Sequence, residues 1–425
     1  MTTSERPLFV YLQRPDNGEW VVAGRYVRDA HSGSGSFRYA PSYVEAGLSW
    51  AIDPVNLPFV PGVDYPAPRY GGLHDVLRDA SPDSWGQMLI RREHNLGVHA
   101  TAIDFLRLSG NGERWGALAV GESRKPHVAK LASPRLHRLD ALVQEVLAIA
   151  QSKPALNGPL RKRLFATPSM GGARPKATVQ DGDDYWLVKP GLMTDTVDLA
   201  LLEHVTMQWG KKAGLRFADT RYHPLGIERG VIRILRFDRR GAQRVMTVSA
   251  ASLLQVAYPP VTATDSSGAS YPRLAEELKR IGAPPEDGIE LFGRMVFNAV
   301  VGNNDDHPRN HAVLFDLDQQ RWRLSPAFDV VPDTQDDPQT LVMQVSAGRH
   351  DITREAMLQD YLRFGFVTHA DAQDHFDVLV KRIADSFDNI APLLDAVLRN
   401  AMQGRLHTML ARLGKTPSIR LPGGD

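Results

Sequence analysis

Residues 301–310 read V-G-N-N-D-D-H-P-R-N, and residues 325–330 read S-P-A-F-D-V. In the first stretch the carboxylate of Asp305 is followed five residues later by the amide of Asn310, and the second stretch adds the carboxylate of Asp329. Phosphoryl transfer from ATP needs such side chains, because one Asp accepts the proton of the attacking hydroxyl while an Asn and another Asp hold magnesium. The sequence therefore points to a candidate phosphotransfer site at these three residues.

The same spacing, Asp-x-x-x-x-Asn followed by a further Asp, occurs in the protein-kinase catalytic loop and its metal site, although Val330 stands where kinases have glycine. The spacing alone also suits a polar turn or a helix cap. The surroundings favour the loop, because a helix, the polar loop and a hairpin follow in the order of a kinase C-lobe. The helical period falls on Ile289, Phe292, Val296 and Val300, and the two strands are predicted at 311–315 and 321–324.

Composition sets broad limits on the function. The chain has 425 residues, enough for two or three domains, with 43% hydrophobic and 23% charged residues. Its net charge of +1 gives no electrostatic argument for direct nucleic-acid binding, and the lack of cysteine excludes disulfides and thiolate chemistry and suits a reducing cytosol. Residues 1–7 lack an apolar signal core and no run of about 18 apolar residues occurs, so we expect a cytoplasmic protein without a transmembrane helix.

A glycine pair lies in the stretch T-P-S-M-G-G-A-R-P-K-A at 167–177. Gly171 and Gly172 would let backbone amides approach a phosphate without a Cβ in the way. Arg174 and Lys176 would supply positive charge beside them. A plain β-turn is the alternative interpretation of the same two glycines.

A strand that ends in lysine follows the glycine pair, at 185–190. Lys189 would contact the α- and β-phosphates of ATP, as the strand lysine of a kinase N-lobe does. A helix is predicted over 198–212, where Glu203 could pair with that lysine. An exposed lysine at a strand end and a surface glutamate are the alternatives. A later strand runs into R-F-D-R at 236–239, where a hinge between lobes would fall.

The N-terminal part of the sequence predicts mixed strands and helices and contains no set of residues that we interpret as catalytic. Ser81 and Pro82 fit the N-cap and first turn of a helix through residues 85–90. Residues 55–68 are rich in proline and should be irregular. Further strands are predicted at 8–12, 20–26, 37–39 and 231–237, and further helices at 102–108, 139–150, 253–258, 274–281, 371–387, 390–400 and 402–413.

Six motifs taken together resemble those of the HipA family, the serine/threonine-kinase toxins of bacterial type II toxin–antitoxin modules. They follow one another in the order of that family, and the resemblance covers most of the chain. The motifs are S-P-D-S-W-G at 81–86, S-M-G-G-A-R-P-K at 169–176, L-V-K-P at 187–190, R-F-D-R at 236–239, N-D-D-H-P-R-N at 304–310 and S-P-A-F-D-V at 325–330. Two departures bear on substrate choice and partner docking: Leu235 replaces a glutamate of some members, and residues 241–255 lack a polar pattern that many members have.

The resemblance implies an α+β fold of the protein-kinase-like, two-lobed class, with an N-terminal mixed α/β subdomain and a mostly helical C-terminal lobe. It divides the chain into an N-terminal subdomain at 1–130, a kinase N-lobe with the ATP loop and the lysine strand at 131–240, and a helical C-lobe with the catalytic loop at 241–425. The cofactors that it implies are ATP and Mg²⁺.

The resemblance also implies a role for each site residue. Asp305 would be the catalytic base, with Lys189 as the second catalytic residue, and Asn310 and Asp329 would hold Mg²⁺. Ser169 matches the serine that the family autophosphorylates, which ejects the ATP loop and switches the kinase off; a serine that merely caps a turn is the alternative. The implied nucleotide-binding set is Ser169, Met170, Gly171, Gly172, Ala173, Lys176, Lys189, Arg236, Phe237, Asp238, His307, Asn310 and Asp329.

The implied function is an ATP- and Mg²⁺-dependent serine/threonine-protein kinase toxin whose substrate would be a translation factor such as an aminoacyl-tRNA synthetase. Its partner would be a small helix-turn-helix antitoxin of the HipB type, and DNA would be reached only through that antitoxin. No membrane partner is expected. Two other functions stay open from the sequence: a small-molecule or lipid-headgroup kinase on the same scaffold, and a catalytically silent co-repressor that acts with a DNA-binding partner.

Overall fold

The computed structural model describes residues 6–29, 31–67, 69–128, 133–166, 172–225, 229–258, 268–334 and 337–414. Up to residue 150 the chain forms strands β1 (Leu8–Gln13), β2 (Trp20–Arg28), β3 (Gly35–Tyr39), β4 (Tyr65–Ala67) and β5 (Leu118–Gly121), and helices α1 (Pro41–Glu45), α2 (Asp75–Asp79), α3 (Ser84–His94), α4 (Ala102–Leu108) and α5 (Leu139–Ala150).

The middle of the chain, up to residue 254, adds helices α6 (Gly158–Ala166), α7 (Leu199–Lys212) and α8 (Ala250–Leu254), and strands β6 (Ala177–Asp181), β7 (Asp184–Pro190), β8 (Thr220–Leu225), β9 (Arg229–Leu235), β10 (Arg239–Arg240), β11 (Gln243–Arg244) and β12 (Thr247–Ser249). The last part adds strands β13 (Ala312–Asp316) and β14 (Arg321–Leu324), and helices α9 (Tyr271–Arg280), α10 (Pro285–Val301), α11 (Arg354–Gln359), α12 (Tyr361–Phe364), α13 (His369–Ile390) and α14 (Ala396–Arg412).

The strands form four sheets. The largest has the order β4-β3-β2-β1-β5 and is antiparallel throughout. A four-stranded sheet has the order β6-β7-β9-β8, a three-stranded sheet has the order β12-β13-β14, and β10 pairs with β11 as a short hairpin. Strands β6 and β7 are antiparallel in a register that places Ala177 opposite Val188.

The chain divides into two compact units that are not continuous in sequence. The first comprises residues 1–192, 233–255 and 312–325, and the second comprises residues 193–232, 256–311 and 326–425. The division into three successive segments at 1–130, 131–240 and 241–425 stays a prediction. Within the described residues, no helix is long and apolar enough to cross a membrane.

The core of the first unit lies against the five-stranded sheet. Strand β1 lies between β2 and β5 in that sheet, and its Val10 and Leu12 are fully buried. Two tyrosines, one on β2 and one on β3, tie the sheet to loops, since the Tyr26 hydroxyl donates to the carbonyl of Gly72 and the Tyr39 hydroxyl donates to that of Leu57. Aromatic side chains with one polar tip suit this position, because the ring is buried while the hydroxyl satisfies a loop carbonyl.

Helix α10 lies at the centre of the second unit, and every residue from 291 to 301 is buried. A helix that is buried on all sides must be packed by several neighbours. Trp209 of α7 joins three helices: its ring centroid is 5.9 Å from that of Phe297 on α10 and 5.1 Å from that of Phe387 on α13. Its indole nitrogen donates to the carbonyl of Ile383 at 2.8 Å. This packing fixes the end of α10, from which the loop at 302–310 continues.

Most predicted elements are confirmed, including the bounds of α4 and α5, the strands β1, β2 and β7, the helix α10 and the hairpin of β13 and β14. Other boundaries were wrong. Helix α8 begins at Ala250 and ends at Leu254, so only the first two residues of the helix predicted at 253–258 are helical. The two helices predicted at 390–400 and 402–413 are largely one helix, α14. The proline-rich stretch at 55–68 contains the short strand β4, which pairs with β3 at the edge of its sheet, where a proline is tolerated.

The start of α3 was also wrong. The N-cap is Asp83 rather than Ser81, because the Asp83 carboxylate accepts a hydrogen bond from the backbone N–H of Gly86 at 3.0 Å. Ser81 and Pro82 precede the helix. Since Asp and Ser are equally good N-cap residues, local sequence could not choose between two candidates placed two residues apart.

Candidate active site

The candidate catalytic loop begins where α10 ends, at Gly302. This residue adopts a left-handed conformation with a φ of 76°, and a Cβ at this position would lie 2.7 Å from Cδ of Arg405 on α14. Both features favour glycine. The loop then turns back, since the backbone N–H of Asn303 donates to the carbonyl of Asn298 at 2.9 Å. The buried end of α10 thus determines the direction in which the loop leaves.

The two adjacent carboxylates of the loop have opposite environments. The side chain of Asp305 is 72% exposed, whereas Asp306 is completely buried. Oxygen Oδ2 of Asp306 accepts from the hydroxyl of Tyr271 at 2.8 Å, and Oδ1 accepts from the backbone N–H of Val342 at 2.7 Å. Asn298 donates to the same Tyr271 hydroxyl at 2.8 Å. The buried carboxyl therefore anchors the loop, and its neighbour is left facing solvent.

Burial raises the pKa of Asp306 from 3.8 to about 7, although the hydrogen bonds from Tyr271 and from backbone N–H groups oppose the rise. This carboxyl therefore holds its proton to a far higher pH than a carboxyl in water does.

Asn310 links the loop to the second acidic segment. Its Nδ2 donates to the backbone carbonyl of Asp305 at 3.0 Å and makes a longer contact of 3.5 Å with the carbonyl of Asp329. The segment that carries Asp329 is held by two bonds with residues 216–218, from Ala327 N–H to the Arg216 carbonyl and from Ala218 N–H to the Ala327 carbonyl. The three residues predicted from spacing are thus brought together within one unit.

Asp329 has a φ of 58°, in the left-handed region that residues other than glycine seldom adopt. Such strained backbone persists only where the surrounding structure determines it, and it occurs often at functional sites. Because Nδ2 of Asn310 is oriented by two carbonyls, its Oδ1 is the amide atom left to coordinate a cation. Mg²⁺ prefers carboxylate and amide oxygens and is commonly held by one or two carboxylates together with substrate phosphates. Asn310 and Asp329 fit that requirement.

Two aromatic side chains surround the exposed carboxylate. The hydroxyl of Tyr258 donates to Oδ1 of Asp305 at 2.9 Å, and the Tyr258 ring lies over the imidazole of His307 with a centroid distance of 3.9 Å. Burial lowers the pKa of His307, although the carboxylates of Asp305 and Asp329 oppose the shift. Nε2 of His307 lies 4.0 Å from Oδ1 of Asp305. The Tyr258 hydroxyl therefore orients the carboxylate of the predicted base.

Apart from Glu203, the remaining predicted residues lie in the first unit or outside the described residues. Ser169, Met170 and Gly171 are outside them, and Gly172 is the first described residue of the glycine stretch. Lys189 lies near the end of β7 and is buried, so it is not the exposed lysine of the alternative interpretation. Glu203, in the second unit, is also buried, and its pairing with Lys189 stays a prediction.

The side chains at 236–239 take part in a buried network of the first unit. Arg236 donates to the carboxylates of Glu113 at 2.7 Å and of Asp238 at 2.9 Å, and Arg239 also donates to Asp238. Burial alone would raise the pKa of Asp238, but the guanidinium groups of Arg236 and Arg239 outweigh it and hold the pKa below its usual value. The Asp238 carboxylate, 1% exposed, also accepts from Gly116 N–H. The nucleotide contacts predicted for Arg236, Phe237 and Asp238 stay predictions.

Sequence reasoning missed three functional neighbours of the loop. The spacing to Asn310 selected Asp305 and gave no role to Asp306, whose contribution depends on its burial. Tyr271 and Tyr258 lie more than 30 residues before the loop, so no local spacing connects them with it. The available signal was the pair of adjacent acids in N-D-D-H. A carboxylate must either meet hydrogen-bond donors in the interior or remain in water, so each of these two acids needed one of those environments.

A family model described as the HipA-like C-terminal domain matches residues 168–394, more than half of the chain. The chain belongs to the HipA-like family. The matched range contains the glycine stretch, the lysine strand and the loop with its second acidic segment.

Two known proteins place this HipA-like chain among its relatives. The HipA chain in a solved complex of the Shewanella oneidensis MR-1 toxin–antitoxin system HipA, HipB and its operator DNA superimposes with a TM-score of 0.69. At 16% identity, the match covers 95% of this chain and 96% of that chain. The predicted α+β, protein-kinase-like fold class is confirmed. Y4mE of Sinorhizobium fredii, whose name describes it as a candidate kinase, is 35% identical over 75 residues, which span only 17% of its length.

We expect Asp306→Asn to remove a pH dependence of stability in this HipA-like chain. The folded-state pKa of about 7 lies above the ordinary 3.8, so the folded chain binds the extra proton. The contribution of this carboxyl to the free energy of unfolding therefore falls as the pH rises from about 4 to about 7, by up to about 1.4 kcal/mol per pH unit. An amide cannot ionise, so the free energy of unfolding of the variant should rise relative to wild type across that window.

Urea unfolding at several pH values between about 4 and about 8 measures this difference. Asp305→Asn is the matched control, because it makes the same chemical change on the exposed neighbour. A difference between Asp306→Asn and wild type that does not change with pH would contradict the role of the buried carboxyl.

Proposed function

We propose that this chain is an ATP- and Mg²⁺-dependent serine/threonine-protein kinase of the HipA type. The observation that carries the proposal is the meeting of Asp305, Asn310 and Asp329 in one unit, with the Asn310 amide bonded to the backbone of both acidic residues. The exposed carboxylate can meet a substrate hydroxyl, while the amide oxygen of Asn310 and the carboxylate of Asp329 would hold a cation. Membership of the HipA-like family and the likeness to the Shewanella fold support it.

The proposed step is a transfer of the γ-phosphoryl group to a Ser or Thr hydroxyl. The hydroxyl oxygen attacks the γ-phosphorus, its proton passes to the carboxylate of Asp305, and the bond to the β,γ-bridging oxygen breaks with its electron pair leaving on ADP. Tyr258 keeps that carboxylate oriented toward the attacking hydroxyl. When bound, Mg²⁺ supplies charge that offsets the phosphates, and Asn310 and Asp329 would hold it. We assign the α- and β-phosphate contact to Lys189.

We also propose control by a small helix-turn-helix antitoxin and a protein substrate of the translation machinery, such as an aminoacyl-tRNA synthetase. The Shewanella complex of HipA, HipB and operator DNA supports an antitoxin partner through which DNA would be reached. The net charge of +1 is in keeping with indirect rather than direct DNA contact. Purified chain incubated with radiolabelled ATP and candidate synthetases, with sugars and inositides as alternative acceptors, tests the substrate class.

Asp305→Asn should abolish phosphotransfer while the fold remains, because the amide is nearly isosteric with the carboxylate but cannot accept the proton. We expect kcat to fall by about a hundredfold or more, the usual contribution of a positioned general base. Asp329→Ala should in addition weaken Mg²⁺-dependent ATP binding. ATP turnover and thermal unfolding are measured side by side, with Asp385→Asn, an exposed acid on α13, as the control. A fully active Asp305→Asn protein would refute the assignment.

Tyr258→Phe should lower kcat by about tenfold while the KM for ATP stays unchanged. The phenyl ring keeps its contact with His307, but the hydrogen bond to the Asp305 carboxylate is lost, and a loss of about 1.4 kcal/mol corresponds to a factor of ten in rate. Tyr361→Phe, in which another tyrosine beside a histidine loses its hydroxyl, is the matched control and should leave both constants unchanged. If Tyr258→Phe has the same kcat as wild type, this hydroxyl does not orient the carboxylate of Asp305.

Ser169 is proposed as an autophosphorylation site that switches the kinase off. A phosphate would add about −1.5 to −2 charges at neutral pH in the stretch proposed to hold the polyanionic nucleotide, and so repel it. Ser169→Asp should therefore bind Mg-ATP more weakly than wild type, whereas Ser169→Ala should retain binding and resist self-inactivation. Calorimetric titration of both variants, with mass spectrometry of wild type after incubation with ATP, measures the effect. Equal affinities and an unmodified Ser169 would leave it as a turn residue.

A further inference from the structure

The motif S-P-D-S-W-G at 81–86 has no role in the proposed chemistry, yet it makes two contacts with one residue of the glycine stretch. Oxygen Oδ2 of Asp83 lies 3.4 Å from Nζ of Lys176, and the indole N–H of Trp85 donates to the backbone carbonyl of Lys176 at 3.0 Å. The side chains of this ion pair are 3% and 2% exposed. The motif therefore holds Lys176 by both its side chain and its backbone.

Lys176 is the last residue before β6, and in the sequence it lies between the glycine pair at 171–172 and the lysine strand β7. Strand β6 pairs with β7 so that Ala177 is opposite Val188, the residues next to Lys176 and Lys189 in sequence. Gly172 has a φ of 84°, and a Cβ added there would lie 3.1 Å from Nζ of Lys176. The ammonium group is thus close to both the Asp83 carboxylate and the backbone of Gly172. Any shift of Lys176 would disturb this end of the stretch.

A buried ion pair is held in place by the cost of separating its members, because either charge left alone in the interior is strongly destabilising. Asp83 is itself fixed, since it caps α3 through the Gly86 N–H. The position of Lys176 is therefore set by the start of a helix, which is more rigid than a loop. A glycine-rich segment has many accessible backbone conformations, so a fixed residue at one end reduces the number that the segment can adopt.

We propose that Asp83 and Trp85 are positioning residues for the nucleotide loop: they fix residues 172–176 in the shape that receives ATP. This rests on the proposed function, because the ligand of that stretch is taken to be a nucleotide. Lys176 then acts through its position and contributes little direct charge to the phosphates. A direct contact between Lys176 and the phosphates, as expected from the sequence, would have the opposite consequence. Loss of the ion pair with Asp83 would then make the charge of Lys176 more available to ATP, and ATP would bind more tightly.

The first test is Asp83→Asn, compared with wild type by calorimetric titration of Mg-ATP and by steady-state kinetics. Asn is as good an N-cap as Asp, so α3 keeps its cap while the ion pair is lost. We expect the Kd and the KM for ATP to rise by about tenfold while kcat at saturating ATP changes little. Tighter ATP binding would overturn the proposal in favour of a direct phosphate contact by Lys176.

Trp85→Phe provides a second variant, in case Asp83→Asn folds poorly: it keeps an aromatic ring at this buried position and removes the N–H donor together with part of the indole. It should raise the Kd for ATP in the same direction. The double variant Asp83→Asn with Lys176→Met should bind ATP no more weakly than the worse of the two single variants, because contacting residues couple. Additive losses would show that the two side chains act separately, and would overturn the proposal.

Asp79→Asn is the matched control. It neutralises another buried carboxylate of the same unit, which accepts from the hydroxyls of Ser249 at 2.8 Å and Ser252 at 2.6 Å. It should lower stability and leave the Kd for ATP unchanged. If it weakens ATP binding as much as Asp83→Asn does, the effect is general destabilisation and the proposal fails.

Amide hydrogen exchange without nucleotide separates this proposal from the proposed function. Asp83→Asn should speed exchange at residues 172–181, whereas Asp79→Asn should not. Wild-type protein that binds no Mg-ATP would refute the kinase proposal, and the exchange experiment would still decide whether the motif holds the stretch. Unchanged exchange in both Asp83→Asn and Trp85→Phe would refute the positioning role.

Discussion

The site depends on one buried carboxyl group. Asp306 is enclosed between the Tyr271 hydroxyl and the Val342 N–H, and a carboxyl in the interior is tolerated only where such donors meet it. These bonds hold the Asp306 side chain inside, whereas the side chain of the preceding Asp305 is exposed and its backbone carbonyl accepts from Asn310. Without this anchor the polar stretch after α10 would be an ordinary surface loop with no preferred arrangement of its acids.

The first unit uses charged residues in a similar way. Asp83 forms an ion pair with Lys176, and Asp238 forms ion pairs with Arg236 and Arg239. These motif residues therefore link chain segments inside the protein. The residues of the recognised motifs thus fall into two kinds. Some, such as Asp305, are exposed to solvent, and others, such as Asp83 and Asp306, are buried and bonded to another segment of the chain. A motif match does not distinguish the two kinds, because both require the same residue at the same position.

Much of the fold was readable from local patterns. The periodic apolar residues of α5 and α10 and the short apolar runs of strands β1 and β2 have strong signals, and their existence and type were predicted correctly. The failures share a physical cause. Asp83 and Ser81 are both good helix caps, so only the geometry of the Gly86 N–H decides between them. Residues 396–412 continue through the position where a break was expected, since burial of Leu398, Met402 and Leu406 stabilises one long helix.

The sequence by itself determined the candidate set Asp305, Asn310 and Asp329, the lysine at the end of a strand and the family resemblance, because these follow from residue type, order and spacing. Only the tertiary structure decided which of the two neighbouring acids is exposed and which is buried, which tyrosine donates to the exposed one and which aspartate pairs with Lys176. Those choices depend on burial and on partners more than 30 residues away in the chain. Since desolvation penalises a charged group according to its surroundings in space, no local pattern of residues can encode it.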